Sequence, residues 1–393
     1  MRLLLFWGSA ALLRYTYALF PLIILARGIW RRRPHQEAAI TPSLSVIIAA
    51  HNEADVIGKK IDNILSLDYP RDCLEVIVAS DGSNDGTNEL VRRYQSRGVR
   101  LLDLPRQGKA AALNAAVAAA TGENLGFSDA NSLFAPQSLR ELMRPFADTG
   151  VGGVAGNQVY RRTSTATLAG EGEQRYWNFD RELKRYESAG GNVISATGAI
   201  YAIRASLFTP VPDGVTDDFY TSTGVIAQGY RLVFAPEAIA YEAVAGKSRD
   251  EYGRKVRVMT RGLRGVYLRR ELLDPTRYGF YALQLLSHKL LRRLVAVPLL
   301  LIALVSPLLW SRGWLYQLAT AGQAAFYGLA AAGSLLEKPA RSRLKLLALP
   351  YYFCLVNIAA LQATLNVLRG RAIVIWEPTH AGASTAPAGR GQP

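Results

Sequence analysis

The residues whose types and spacing first suggest chemistry are a lysine in Gly108-Lys109-Ala110-Ala111-Ala112-Leu113-Asn114 and two adjacent carboxylates in Thr216-Asp217-Asp218-Phe219. Lys109 opens an alanine-rich run of helical character. A helix N-terminus with a cation beside it suits a diphosphate, by dipole and charge together. The segment is not a Walker A loop, because neither Ser nor Thr follows Lys109 and the upstream glycine is missing. Asp217 beside Asp218 tends to raise one of their pKa values if both face one site. Three further polar stretches each close an apolar run: His51-Asn52-Glu53-Ala54-Asp55, Ser80 to Thr87, and Ser128-Asp129-Ala130-Asn131. A cationic segment, Arg254-Lys255-Val256-Arg257-Val258, follows much later. Each has a plainer reading beside the functional one. The acidic loops are what a strand-to-helix turn needs, Lys109 is a surface lysine before a core helix, the Asp pair caps a helix, and the cations attract a membrane.

The elements that position these residues decide between the readings. Leu44–Ala50, Leu74–Ala79, Val99–Leu104 and Asn124–Ser128 read as strands, each followed by a longer segment of helical spacing. That order predicts a mainly parallel, Rossmann-like α/β sheet over residues 40–270, with helices on both faces. Ligands bind beyond the carboxyl ends of such strands. The polar loops after the first, second and fourth strands therefore converge on one edge, which favours a site over three separate turns.

Half of the 393 residues are hydrophobic and 20% are charged, with a net charge of +15, and the apolar residues concentrate at the two ends. Disorder of the whole chain is excluded. The run within residues 1–30, followed by Arg31-Arg32-Arg33, predicts an uncleaved membrane helix with the middle of the chain in the cytosol. Residues 294–368 predict three more spans, interrupted at Arg312 and at the basic loop 337–343. An amphipathic helix is expected to lie on the inner leaflet over residues 276–293. Three spans leave the tail outside, whereas Arg369 and Arg371 argue for inside. Residues 379–393, rich in Ala, Gly and Pro, predict a disordered tail. Cys73 and Cys354 alone build neither a disulfide framework nor a cysteine metal site. The basic clusters flank the spans as topology requires, so no nucleic-acid partner is expected.

Over roughly residues 42–270 the chain resembles family 2 glycosyltransferases of the GT-A fold, especially membrane-bound synthases of cellulose, hyaluronan and poly-N-acetylglucosamine. The resemblance implies that Asn52, Glu53 and Asp81 hold the nucleotide, with Asp81 accepting the uracil N3 proton. Position 51 is more often Tyr or Phe in relatives and is His51 here. It further implies that Lys109 meets the diphosphate and that Asp129 and Asn131 stand at an Asp-x-Asp motif. That motif's second acid binds a divalent cation, magnesium or manganese; here it is an amide, an oxygen ligand without charge. Asp218, next to Asp217, matches the catalytic base of a Thr-Glu-Asp motif. Thr197, Gly198 and Tyr201 fall where relatives place the acceptor sugar; upstream, Tyr176 and Trp177 fit either a sugar platform or the core. Arg254, Lys255 and Arg257 lie at a Gln-x-x-Arg-Trp segment that closes over the diphosphate, with Val258 in place of its Trp.

The expected function is a membrane-embedded inverting transferase on the inner membrane. It is expected to move a sugar from a nucleotide-sugar donor, a UDP-sugar, to a saccharide acceptor with a β-linkage. Two alternatives stay open at this stage: a non-processive transferase acting on a lipid-linked acceptor, and a catalytically weak homologue serving as a membrane scaffold. Membrane lipids are expected partners; the sequence names no protein partner.

Overall fold

The computed structural model describes residues 1–161, 168–243, 248–335 and 345–371. The loop 337–343, the tail 379–393 and the side chains of Tyr176 and Trp177 lie outside the described residues.

Among the described residues eight strands form one sheet: β1 Leu44–Ala50, β2 Leu74–Asp81, β3 Val99–Leu104, β4 Asn124–Ser128, β5 Leu133–Phe134, β6 Val151–Arg161, β7 Tyr201–Arg204 and β8 Arg231–Ala243, in the order β3-β2-β1-β4-β7-β6-β8-β5. All seven residues of β1 are buried, as expected for a central strand covered on both faces. Successive side chains alternate between two cores. Val46, Ile48, Val76 and Val78 pack with Ile57, Ile61 and Ile64 on one side. Ile47, Ala49, Ile77 and Ala79 pack with Ala112, Leu113 and Ala116 on the other. Each fully buried isoleucine contributes about 1.5–3 kcal/mol relative to exposure.

The register aligns the ligand edge. Ala50 stands opposite Ser80 and Ile48 opposite Ser128 in parallel pairs, so the loops that begin at His51, Gly82 and Asp129 leave the sheet side by side.

The sheet is mixed, with parallel pairs in the majority as expected: β1–β2, β2–β3, β1–β4 and β6–β8 are parallel, whereas β7 runs antiparallel to both β4 and β6, and β5 is antiparallel to β8. The cause is the path into β7: Phe127 pairs with Tyr201 and Asn124 with Arg204, so the chain enters β7 at the loop edge and runs back down without a crossover.

Among the described residues two helices are long and apolar enough to cross a membrane, Arg2–Trp30 and Leu346–Leu368. The span expected over 294–310 is instead a short helix, Ala296–Val305, followed by a 3-10 stretch, Pro307–Arg312. Pro307 lacks the N–H that α-helix continuation requires. Trp314–Leu335 is a 22-residue helix whose apolar run is interrupted by Gln317 and Gln323, the latter donating to Ser306 Oγ at 3.1 Å.

The segment expected as an interfacial helix is broken into Pro275–Tyr278, Phe280–Gln284 and a π-helical turn, Leu285–Leu291. It is amphipathic, with Leu283 and Leu286 exposed. Its polar side, however, is buried against the Leu168–Gly190 helix rather than lying in water, and His288 Nδ1 sits 2.9 Å from Glu187 Oε1.

Candidate active site

Asp81 ends β2 and is 1% exposed. Arg106 Nη1 donates to its Oδ2 at 2.5 Å, and the amides of Gln107 and Gly108 donate to Oδ1 at 2.7 and 2.9 Å. These bonds fold the chain after β3 into the turn that starts the Lys109–Ala119 helix. Gly82, at φ +63°, meets Arg106 so closely that a Cβ would stand 2.8 Å from the Arg106 Cβ. Asp81 therefore organises the loop that carries Lys109, and its oxygens face that loop.

Beside it, Asn52 adopts a left-handed φ of +54°, the one non-glycine among the described residues to do so. Its Oδ1 accepts from Asn84 N at 2.9 Å, and its own amide donates to Ser83 Oγ at 3.1 Å, which joins the first and second loops. The His51 ring is bonded through Nδ1 to the Asp81 carbonyl at 2.7 Å. Glu53 is buried, and its carboxyl is pushed up to about 8 by that burial, with the negative charge of Asp129 adding to the effect.

Lys109 stands at the centre of the edge. Its Nζ lies 2.8 Å from Asp129 Oδ1 and 3.1 Å from Asp217 Oδ2, so one ammonium joins the loop after β4 to the helix Asp217–Ala227. Burial works against the ammonium, but Asp129 and Asp217 together outweigh it and raise the Lys109 pKa. Asp217 and Asp218 are not caps: Thr216 occupies the N-cap position and both acids lie in the first turn, where the helix dipole favours negative charge. Asp218 differs from its neighbour. It forms no ion pair among the described residues, and its Oδ1 accepts from Phe219 N at 2.7 Å. Burial, then the Asp217 charge, push its carboxyl up to about 6, against the opposing pull of Lys109 and Lys289.

Gly198 passes directly over Asp129. A Cβ there would come within 2.7 Å of Asp129 Oδ2, and Gly198 O accepts from Asp129 N at 3.0 Å. Thr197 is 9% exposed beside it. Tyr201 is a correction: it is 1% exposed and stacked on Phe127 at 4.7 Å, a core residue of β7 rather than an open face for an acceptor. Asn131 is exposed at the rim. Its amide oxygen and the Asp129 carboxylate are hard-oxygen donors of the kind a magnesium or manganese ion shares with a diphosphate, so this pair fits a divalent cation whose remaining positions come from the donor and water. Among the described residues no cluster of three or more His, Cys, Asp or Glu forms a self-sufficient cage.

The helix Ser248–Leu268 lies over this edge, tied by Thr216 Oγ1 donating to Val258 O at 3.5 Å. Arg254, Arg257 and Arg261 recur at helical spacing on one face. Arg254 acts electrostatically on the buried Glu242, whose carboxyl is raised by burial first and then by Asp129. Arg261 faces Asp217 and is lowered by burial and by its neighbour Arg257. Lys255 departs from the expected trio. It sits 100° round the helix from Arg254, and its ammonium lies 5.7 Å from the Tyr352 ring, on the Leu346–Leu368 side.

Residues 45–209 match the family described as Glycosyl transferase family 2. This chain carries a family 2 glycosyltransferase domain. Glycosyltransferase AglE of Haloferax volcanii is 29% identical over 206 residues, which are 50% of this chain and 66% of that protein. The poly-beta-1,6-N-acetyl-D-glucosamine synthase of Staphylococcus aureus is 27% identical over 209 residues, 51% of this chain and 50% of that protein. The chain thus spans half to just under two thirds of the curated relatives it matches. A solved mannosyltransferase from Pyrobaculum calidifontis, in complex with GDP-mannose and Mn2+, superposes with a TM-score of 0.70 at 26% identity and covers 93% of this chain and 99% of its own. The fold is GT-A-like.

Three cations around the family 2 domain's edge escaped the sequence reading. Lys60 is fully buried behind the β4 loop, donating to Ser128 Oγ at 2.7 Å and to Ser132 O at 2.5 Å, with its pKa lowered to about 7 by burial. It falls three residues after Ile57 and four before Ile64, on the core stripe of the Ala54–Leu65 helix, and that phase was the available signal. Arg106 had no signal. Lys289 lies on the π-helical turn, 5.4 Å from the Phe219 ring, and burial followed by the Arg293 charge lowers it to about 8.

Proposed function

We propose that the chain is a membrane-embedded, inverting hexosyltransferase that uses a nucleoside diphosphate sugar. The observation that carries this reading is the Lys109 bridge between Asp129 and Asp217, which leaves Asp218 as the carboxylate of the same edge outside that bridge, its pKa raised to about 6. Asp218 accepts the proton of the acceptor hydroxyl as that oxygen attacks the anomeric carbon. The bond from that carbon to the diphosphate breaks, the nucleotide leaves with the bonding electrons, and an α-linked donor gives a β-linked product. Lys109 and the amides at its helix start bind the diphosphate, and Arg254 and Arg257 close from above. Asp129 and Asn131 would hold a divalent cation, which when bound neutralises charge on the leaving diphosphate. Asn52 and Glu53 bind the nucleoside; Asp81 holds their loop against that of Lys109. Thr197 and Gly198 line the acceptor side. The apolar helices Arg2–Trp30 and Leu346–Leu368 anchor the enzyme, with the domain in the cytosol.

A second reading concerns the acceptor: one sugar is added to a lipid-linked acceptor rather than many to a polysaccharide. One observation favours it: Val258, 43% exposed, offers no aromatic platform where synthases carry Trp. Incubating membranes containing the protein with labelled UDP- and GDP-linked sugars, then sizing the products, tests both. Transfer from a nucleotide sugar supports the enzyme; a large polymer beside unused acceptor rules out single addition, and no transfer from any donor returns the scaffold reading.

A further inference from the structure

A cavity of about 330 Å3 lies between the ends of the Arg2–Trp30 and Leu168–Gly190 helices and the turn at residues 276–284. It is remote from the catalytic edge. Tyr278, in its wall, donates to Ala227 O at 3.3 Å, at the far end of the helix that begins with Asp217 and Asp218. That helix separates the two places by about 15 Å.

Arg27, Arg33 and Arg277 line the cavity. The Arg27 guanidinium lies 4.3 Å from the Phe280 ring, and Gly190 gives it room, since a Cβ there would stand 3.1 Å from Arg27 Cγ. The backbone at Arg33 is fixed: its amide donates to Ala189 O at 2.8 Å, and Arg231 donates to the carbonyls of Arg33 and Pro34 at 2.8 and 3.0 Å. The one carboxylate in the lining, Glu187, is already engaged by His288 Nδ1 at 2.9 Å and Ile194 N at 3.0 Å. Among the described residues none of the three arginines forms an ion pair. Such a concave group of guanidiniums recognises a phosphate through charge-assisted hydrogen bonds.

The level of the cavity selects the source of that phosphate. It opens where the apolar helix ends, next to Trp30, 79% exposed, and to Arg31 and Arg32, the composition of a headgroup boundary. We propose that the cavity holds the phosphate of an anionic phospholipid headgroup and so clamps the first membrane helix to the catalytic domain. This rests on reading Arg2–Trp30 as a membrane helix and is independent of the assignment of Asp218.

The test is native mass spectrometry of the detergent-purified full chain with added phosphatidylglycerol, and separately with inorganic phosphate. One phosphatidylglycerol should be retained, binding about fivefold more weakly in Arg33→Gln and about twenty-fivefold more weakly in Arg33→Gln/Arg277→Gln. Both positions are solvent-facing, and retained nucleotide binding reports that each variant is folded. Asp218→Asn should retain the lipid as the parent does, even with transfer lost, which separates failure of this site from failure of the transferase reading. Undiminished lipid retention in both folded variants overturns the site. Inorganic phosphate that binds the parent, is lost with the arginines and displaces no lipid overturns the lipid as its source.

Discussion

Lys109 Nζ lies 3.1 Å from Asp217 Oδ2, so of two carboxylates adjacent in the chain one is neutralised and the other is left to take a proton. The pH dependence of kcat/KM follows. A base works only when ionised, and burial with the Asp217 charge holds Asp218 near 6, so activity rises with pH through about that value. Asp217→Asn removes a like charge, which lowers the Asp218 pKa. The acid limb of the variant should therefore move to lower pH, even as its plateau drops from the loosened Lys109. A limb that stays in place or moves up would show that the two acids do not share a site.

Gly198→Ala should reduce turnover at least tenfold, because the new Cβ, 2.7 Å from Asp129 Oδ2, must push that carboxylate off Lys109 or displace the strand entry. Steady-state kinetics alongside thermal unfolding check this. A variant with parental kinetics would place Asp129 outside the working site.

Asn131→Asp adds a charge to the donor pair expected to meet a hard cation, so half-maximal activity should need less magnesium or manganese without activity being abolished. Titration of transfer against each metal reads the shift. Unchanged metal dependence removes position 131 from the cation.

Arg257→Ala should lose donor turnover by about tenfold or more and leave product length unaltered, whereas Val258→Trp should lengthen products if an aromatic platform retains the acceptor. Product sizing at a low enzyme-to-acceptor ratio separates the two effects. Long products from the unaltered protein would locate chain retention elsewhere.

The site was legible in the sequence wherever its chemistry is local. Asn52, Asp81 and Asp129 stand at strand ends marked by β-branched runs, and Lys109, Asp217 and Asp218 open helices, so turn and helix-start patterns expose them. What was not legible depends on contacts between distant segments. Arg106 acts through Asp81, Lys289 reaches the site only because a turn near the membrane helices packs under Phe219, and Lys255 is turned away by helical phase. The reversed direction of β7 was hidden for the same reason: four residues, Tyr201–Arg204, carry no sign of the edge from which the chain enters. Tyr201 looked available beside Gly198, but alternation along that strand turns its ring into the core.

The central claim is that Asp218 is the base of an inverting transfer. The most direct measurement is transfer from an α-linked nucleotide sugar by the parent and by Asp218→Asn, with the anomeric configuration of the product read by NMR and donor affinity measured in parallel. The account predicts a β-linked product, and in the variant a turnover lower by about two to four orders of magnitude with donor affinity nearly intact. An α-linked product, or near-parental turnover in Asp218→Asn, would contradict it.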